Sequence, residues 1–253
     1  MKNFLFKNAL TMRIFSFLLI IIIWEVASII VQSRVLPSPQ VVVGIFWSEL
    51  YSGEMLFHLG ITLWRVVLAF FIAMVVGTAL GIIMGARRNV NLLLDGWHIL
   101  LLNTPALVTI ILCYVWFGLN EIAAITAVAL NKIPNVVVTV REGTRAIDHK
   151  LLQVAEVFKL GFRKKFFNFF FPQLYPYIMA SARGGIALIW KIVLVVELLG
   201  RSNGIGFKLN EFFNLFDIAS IFAYTLSFVA VMMFVEFCIA EPIERRITRW
   251  RQT

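Results

Sequence analysis

Six continuously apolar runs constrain this chain more than any other feature. They cover residues 14–31, 61–84, 97–117, 122–140, 177–199 and 219–239. Each is near the length that crosses a ~30 Å hydrocarbon core. Transmembrane strands would alternate in polarity, with turns every ~10 residues. These runs do not alternate, so they read as helices, whose backbone groups are satisfied within the segment. The balance of residues agrees: 60% are hydrophobic and 15% charged, against roughly 25% charged in soluble globules. The reading is an all-α, polytopic membrane protein forming one domain over residues 1–253.

Lys and Arg concentrate where they report topology. Sixteen of the 23 fall on one side of a six-span arrangement: near the N-terminus, at Arg87 and Arg88, in the 141–176 loop and near the C-terminus. Three, Arg34, Arg201 and Lys208, fall on the other. Both termini are therefore expected in the cytoplasm, and the net charge of +9 reflects topology, with no nucleic-acid partner implied. The first run lacks an A-x-A cleavage site and is interrupted by Glu25, which favours an uncleaved helix. Cys113 and Cys238 both fall in spans and suit small buried apolar positions better than a disulfide.

Outside the spans, Ser38 and Pro39 read as the cap and first position of a short interfacial helix over 41–51. Ala69, Ala73, Gly77, Gly81 and Gly85 place a small residue at every fourth position. That pattern lets another helix approach closely, within the subunit or between subunits. Prolines are expected to break the third and fourth spans. Asn103 and Thr104 adjoin Pro105, and Asn131 and Lys132 adjoin Pro134, so polar groups cluster beside missing N–H donors.

Ionisable residues within spans are costly and face protein or water. Arg65, Arg183 and Glu236 lie near span ends and read as snorkelling or paired charges. Lys132 and Lys191 are deeper. Glu197 is too far from Lys191 for an i,i+4 pair, and it could pair with Lys132 across helices. A buried ion pair and a cationic spot on an anion path both remain open. Asn103, Thr104, Asn131, Lys132, Lys191 and Glu197 are the candidate path residues.

No phosphate-wrapping loop is present. Gly204-Ile205-Gly206-Phe207-Lys208 lacks the G-x-x-x-x-G-K-[ST] spacing, and His58, His98 and His149 are far apart in sequence. Neither a metal site nor catalysis is indicated. The long basic loop over 141–176 is too polar for lipid. Within it Leu151, Leu152, Ala155, Phe158 and Phe162 recur at helical spacing, an apolar face suited to a groove on a soluble partner or to anionic lipid.

Particular segments resemble the permease subunit of a type I ABC importer, in the nitrate/sulfonate/taurine group. They are Leu36-Pro37-Ser38-Pro39, Thr62-Leu63-Trp64-Arg65, Gly85-Ala86-Arg87-Arg88, Trp116-Phe117-Gly118, Trp190 with Glu197-Leu198-Leu199, Gly204-Ile205-Gly206, and Glu244-Arg245-Arg246 with Trp250-Arg251. The family's cytoplasmic loop pattern, E-A-A-x3-G-x9-I-x-L-P, aligns in a degenerate form. Gln153-Val154-Ala155 stand at E-A-A, Lys159 at the glycine, Phe169 at the isoleucine and Pro172 at the proline, with Glu156 and Gly161 out of register.

The resemblance implies a type I importer permease fold in a bacterial inner membrane. It further implies a homodimer of this chain, two ATPase subunits that carry ATP and Mg, and an external solute-binding protein. This chain would bind no cofactor and hydrolyse nothing. Residues 151–165 would form the coupling helix, with Gln153, Ala155, Glu156, Phe158, Lys159, Gly161 and Pro172 as coupling residues. The implied cargo is a small sulfonate-, taurine- or nitrate-like anion. The alternatives are a thiamine-precursor pyrimidine or other small organic molecule, an ATP-independent secondary transporter, and a non-transporting scaffold.

Overall fold

The computed structural model describes residues 2–33, 35–235, 238 and 242, apart from the side chains of residues 2–10, 13, 14 and 187. Glu236, the end of the sixth run and the basic C-terminal segment lie outside these residues. Eleven α-helices and one π-helical turn account for the secondary structure among the described residues. They are α1 (Lys2–Val31), α2 (Pro39–Ser52), α3 (Glu54–Ala86), α4 (Arg88–Asn103), α5 (Ala106–Phe117), α6 (Glu121–Arg145), α7 (His149–Val157), α8 (Phe162–Lys165), the π-turn (Phe166–Phe170), α9 (Phe171–Gly200), α10 (Ile205–Asn214) and α11 (Ile218–Val235).

The centre is a packing of α3, α6 and α9, with α5 completing it. Ile110, Cys113 and Tyr114 of α5 meet Ala123, Ala127 and Val128 of α6 and Ile189, Trp190 and Val193 of α9 in one buried cluster. Many of the largest apolar side chains point outward instead, among them Phe71, Trp97, Val115 and Phe117. In the most apolar window of α3 only 28% of residues are buried, the pattern expected where the solvent is lipid.

The small-residue ladder faces α6. A methyl group at Gly77 would lie 2.6 Å from Val136 Cβ, at Gly81 2.8 Å from Val140 Cβ, and at Gly85 2.5 Å from Thr144 Cβ. The ladder thus serves a contact within the subunit, with Ala69 and Ala73 fully buried along the same helix.

The two proline sites behave differently. At Thr104-Pro105 the third run is broken, and α4 and α5 are bent by 100°. Thr104 Oγ1 donates to Leu100 O (2.8 Å) and Asn103 Nδ2 to Ile99 O (2.8 Å), so carbonyls left at the helix end are capped by adjacent side chains. At Pro134, by contrast, α6 continues unbroken. Asn120 starts that helix by accepting from Ala123 N–H (2.9 Å), and His98 Nε2 bonds the Pro134 carbonyl (3.0 Å). Packed against α3, α4 and α9, α6 stays one helix through Pro134, where the sequence reading expected a break.

α3, α6 and α11 are each long and apolar enough to cross a membrane, and α4 with α5 would make a fourth, broken span. Pro39 occupies the first turn of α2 as expected, but Ser38, although in the cap position, makes no side-chain cap bond. α2 is tied down by Tyr224 Oη donating to Glu49 (2.7 Å).

Candidate translocation path and coupling surface

The starts of α3 and α6 and the end of α9 converge on a buried polar cluster, at the end of the bundle opposite the 146–170 segment. Arg65 is 1% exposed. Its Nη1 donates to Glu197 Oε1 (2.7 Å) and to Asn203 O (2.9 Å). Its Nε and Nη2 fork onto Glu121 (2.9 and 2.6 Å), and Nη2 also reaches Asn203 Oδ1. Glu197, fully buried, accepts from Thr62 Oγ1 (2.9 Å) and from Gly206 N–H (2.9 Å). Ile205 N–H donates to Thr62 Oγ1 and Gly204 N–H to His58 Nδ1, both at 2.9 Å. Arg201 adds a second cation on Glu121 (2.6 Å).

Glycine is required here by space. Gly204 has φ +106°, and a Cβ there would sit 2.3 Å from the Glu197 carboxyl carbon. At Gly206 a Cβ would sit 2.2 Å from Leu194 O.

This arrangement decides one open reading and corrects another. Of the two readings of Arg65, a snorkelling or a paired charge, the structure shows the pair, with two carboxylates and an asparagine as partners. Glu197 does not pair with Lys132, because Arg65, Thr62 and the Gly206 amide take up its oxygens. Glu121, Arg201 and Asn203 were missed. One signal for them existed: His58, Thr62 and Arg65 fall on one helical face, and opposite charges stand at the matching ends of the second, fourth and fifth runs. Three separate segments that carry the family resemblance, at Thr62, Glu197 and Gly204, meet in this one cluster.

Lys132 lies elsewhere. It is 4% exposed, and its stem crosses α9 at Gly185, where an added Cβ would be 2.7 Å from Lys132 Cε. It has no carboxylate or hydrogen-bond partner among the described residues. Asn131 beside it has a buried, unpartnered Nδ2. Lys191 is exposed on the outer face of α9, on the same stripe as Leu188 and Val195. Asn103 is exposed and Thr104 half-buried at the α4–α5 bend. The structure therefore does not gather the six expected path residues into one place.

The loop side is also rearranged. α6 continues to Arg145 and α9 starts at Phe171, so the connecting segment is shorter than 141–176. Residues 151–165 do not form one helix. Asp148 caps α7 by accepting from Lys150 N–H (2.8 Å), and α7 ends after Val157. Leu160 N–H bonds Ala155 O (3.0 Å) and Lys159 N–H bonds Glu156 O (2.8 Å), the pairing of a Schellman C-cap. The residue that must be left-handed in such a cap is Lys159, with φ +50°. It is also the residue aligned with the family's glycine.

Leu160 and Gly161 lead into α8, and Glu156 pairs with Lys165 across this turn. Ala155 is buried beneath it, while Gln153, Glu156, Lys159 and Gly161 are exposed. Pro172 lies in the first turn of α9. Val157, Phe158 and Phe162 are 79%, 73% and 83% exposed. The outward apolar surface is thus built by the turn between two helices, and the expected continuous face is divided because Ala155 and Leu152 point inward.

The chain matches the family described as binding-protein-dependent transport system inner membrane component over residues 77–249. Two relatives bear the name putative aliphatic sulfonates transport permease protein SsuC. The one from Bacillus subtilis is 29% identical over 236 residues, covering 92% of this chain and 85% of the relative. The one from Escherichia coli is 33% identical over 190 residues, covering 74% and 72%. Among solved structures, a crystal structure of an amino acid ABC transporter with histidines superposes with a TM-score of 0.62 at 20% identity, over 79% of this chain and 98% of that one. That likeness gives the same helical fold. The chain thus belongs to the binding-protein-dependent inner membrane components, as an ABC importer permease of the nitrate/sulfonate/taurine type and a transport subunit without catalysis of its own.

Proposed function

We propose that this chain, one membrane domain over residues 1–253, forms the translocation path for a small organic anion of the sulfonate class. Inorganic anions come next in order. The observation that carries the anion reading is Lys132. A cation buried within a membrane helix, with no carboxylate beside it, is costly unless water or an anion reaches it. The names of the relatives point the same way. No observation favours a neutral pyrimidine cargo or an ATP-independent carrier over this reading.

In the proposed assembly, two copies of the chain sit on two ATPase subunits that hold ATP and Mg. An external binding protein delivers the anion. The excess of Lys and Arg on one side supports six spans with both termini and the 146–170 segment in the cytoplasm. The α7–α8 turn would then meet the ATPase through Val157, Phe158 and Phe162, since exposed aromatic anchors of this kind suit a groove on a partner. Glu197, being tied to Arg65, would hold the bundle together rather than touch cargo.

The test is gentle purification of the tagged chain from its native membrane, followed by reconstitution in liposomes. An ATPase recovered at about one to one, with ATP-dependent uptake of methanesulfonate given the partner binding protein, is the expected result. Recovery of the chain alone, with uptake independent of ATP, would sink the proposal.

A further inference from the structure

An open-mouthed cavity of about 310 Å³ lies between α6 and α9, with Leu102 of α4 in its lining. Its polar wall is Lys132, Asn135 and Thr139 on one face of α6, with Ser181 of α9 opposite. Lys132 is 4% and Ser181 5% exposed, and the Ser181 hydroxyl has no hydrogen-bond partner among the described residues. The Asn135 amide makes one long bond, 3.4 Å to Asn131 O. Thr139 Oγ1 is turned toward its own helix, donating to Asn135 O (3.2 Å). No carboxylate lines the space, and the remaining wall is apolar, including Leu188.

We infer that this cavity is an oxyanion site within the permease itself, selecting a small anion with a short apolar group. The inference rests on the proposed anion-importer reading and adds a place where the permease, rather than the binding protein alone, discriminates. Lys132 supplies charge, while the Ser181 hydroxyl and the Asn135 amide supply donors that no other described residue fully uses. Buried donors left unmade are expensive. An anion that accepts from them and neutralises the ammonium removes both costs at once. A neutral ligand of the same shape removes neither, because it leaves the cation uncompensated. Leu102 and Leu188 give the space an apolar lining against which a short alkyl group fits. Gly185 is the supporting feature: a Cβ there would lie 2.7 Å from Lys132 Cε, so the end of the lysine side chain would have to shift.

The experiment uses the intact permease–ATPase complex in nanodiscs, without nucleotide and without binding protein. Binding of methanesulfonate, nitrate and dimethyl sulfone is followed by calorimetry, the sulfone being an uncharged isostere of methanesulfonate. Saturable binding of methanesulfonate, weaker binding of nitrate and none of the sulfone is expected. Ser181→Ala should weaken methanesulfonate by about tenfold, the loss of one hydrogen bond to a charged group, and Lys132→Met should abolish binding. Ser181→Ala removes a single oxygen, so it keeps the test decisive if Lys132→Met misfolds. Equal binding of sulfone and methanesulfonate overturns the inference. So does the absence of saturable methanesulfonate binding, or an unchanged affinity in Ser181→Ala. Each of these leaves the importer reading standing if the same complex hydrolyses ATP and transports with its binding protein. Failure of the ATPase to bind the chain at all overturns that reading instead.

Discussion

Lys159 occupies a backbone conformation that glycine adopts at no steric cost and other L-residues adopt at about 1–2 kcal/mol. Lys159→Gly should therefore raise the melting temperature of the purified complex, offset in part by the freedom glycine gains when unfolded. A lower melting temperature would mean that the lysine side chain makes a contact worth more than the strain. The sequence reading carried one helix through this position, although the family pattern asks for glycine there, and so missed the left-handed cap. Arg65 was not legible. Its partners lie 56 and 132 residues away, and hydropathy reports only that a charge near a span end has some route to comfort. Removing one member of a buried pair costs about 3–5 kcal/mol, so Arg65→Met should greatly reduce the yield of monodisperse protein in detergent. Arg65→Lys should rescue little, since a point charge cannot serve Glu121, Glu197 and Asn203 as a planar fork does. Full recovery in the lysine variant would show that charge alone matters at this site.

At the scale of elements, glycine spacing decides how α3 and α6 meet. Gly77→Leu would drive a side chain into Val136, and overpacking of this kind typically costs at least about 1–3 kcal/mol. The expected outcome is loss of folded protein on size exclusion; an unchanged yield would mean that the helices can separate there. The sequence reading recovered helix positions well because a membrane helix advertises itself over twenty residues. It recovered breaks poorly because proline only permits them. At Pro105 the side chains of Asn103 and Thr104 satisfy the freed carbonyls and the chain bends; at Pro134 the helix, packed among its neighbours, continues. The α7–α8 turn teaches a related lesson, since helical spacing of apolar residues cannot see a cap within the pattern. Phe158→Glu should leave the fold intact, as the side chain is largely exposed, yet reduce co-purified ATPase severalfold. Normal ATPase recovery and normal uptake would remove this turn from the interface.

For the whole molecule, the relevant prediction concerns assembly. The native mass of the extracted complex should correspond to two copies of this chain and two ATPases, and ATP should accelerate uptake. A stable single copy with full transport would contradict the twofold arrangement. Fold class was plain from the sequence because lipid imposes helices on any apolar chain. The cargo-facing residues were not, because a path is made by what packs beside what: Lys132 and Ser181 are 49 residues apart and belong to different helices. The Arg65 cluster also has a consequence in time. When α3 leaves the ribosome, neither Glu121 nor Glu197 has been synthesised, and Gly206 comes later still. The newborn helix must therefore carry an unneutralised guanidinium while most of its relatives in the bundle are absent. Until residue 121 has been translated, that charge has no carboxylate of the cluster to pair with and only the insertion machinery or the lipid headgroups can shelter it; its set of partners closes only at residue 203.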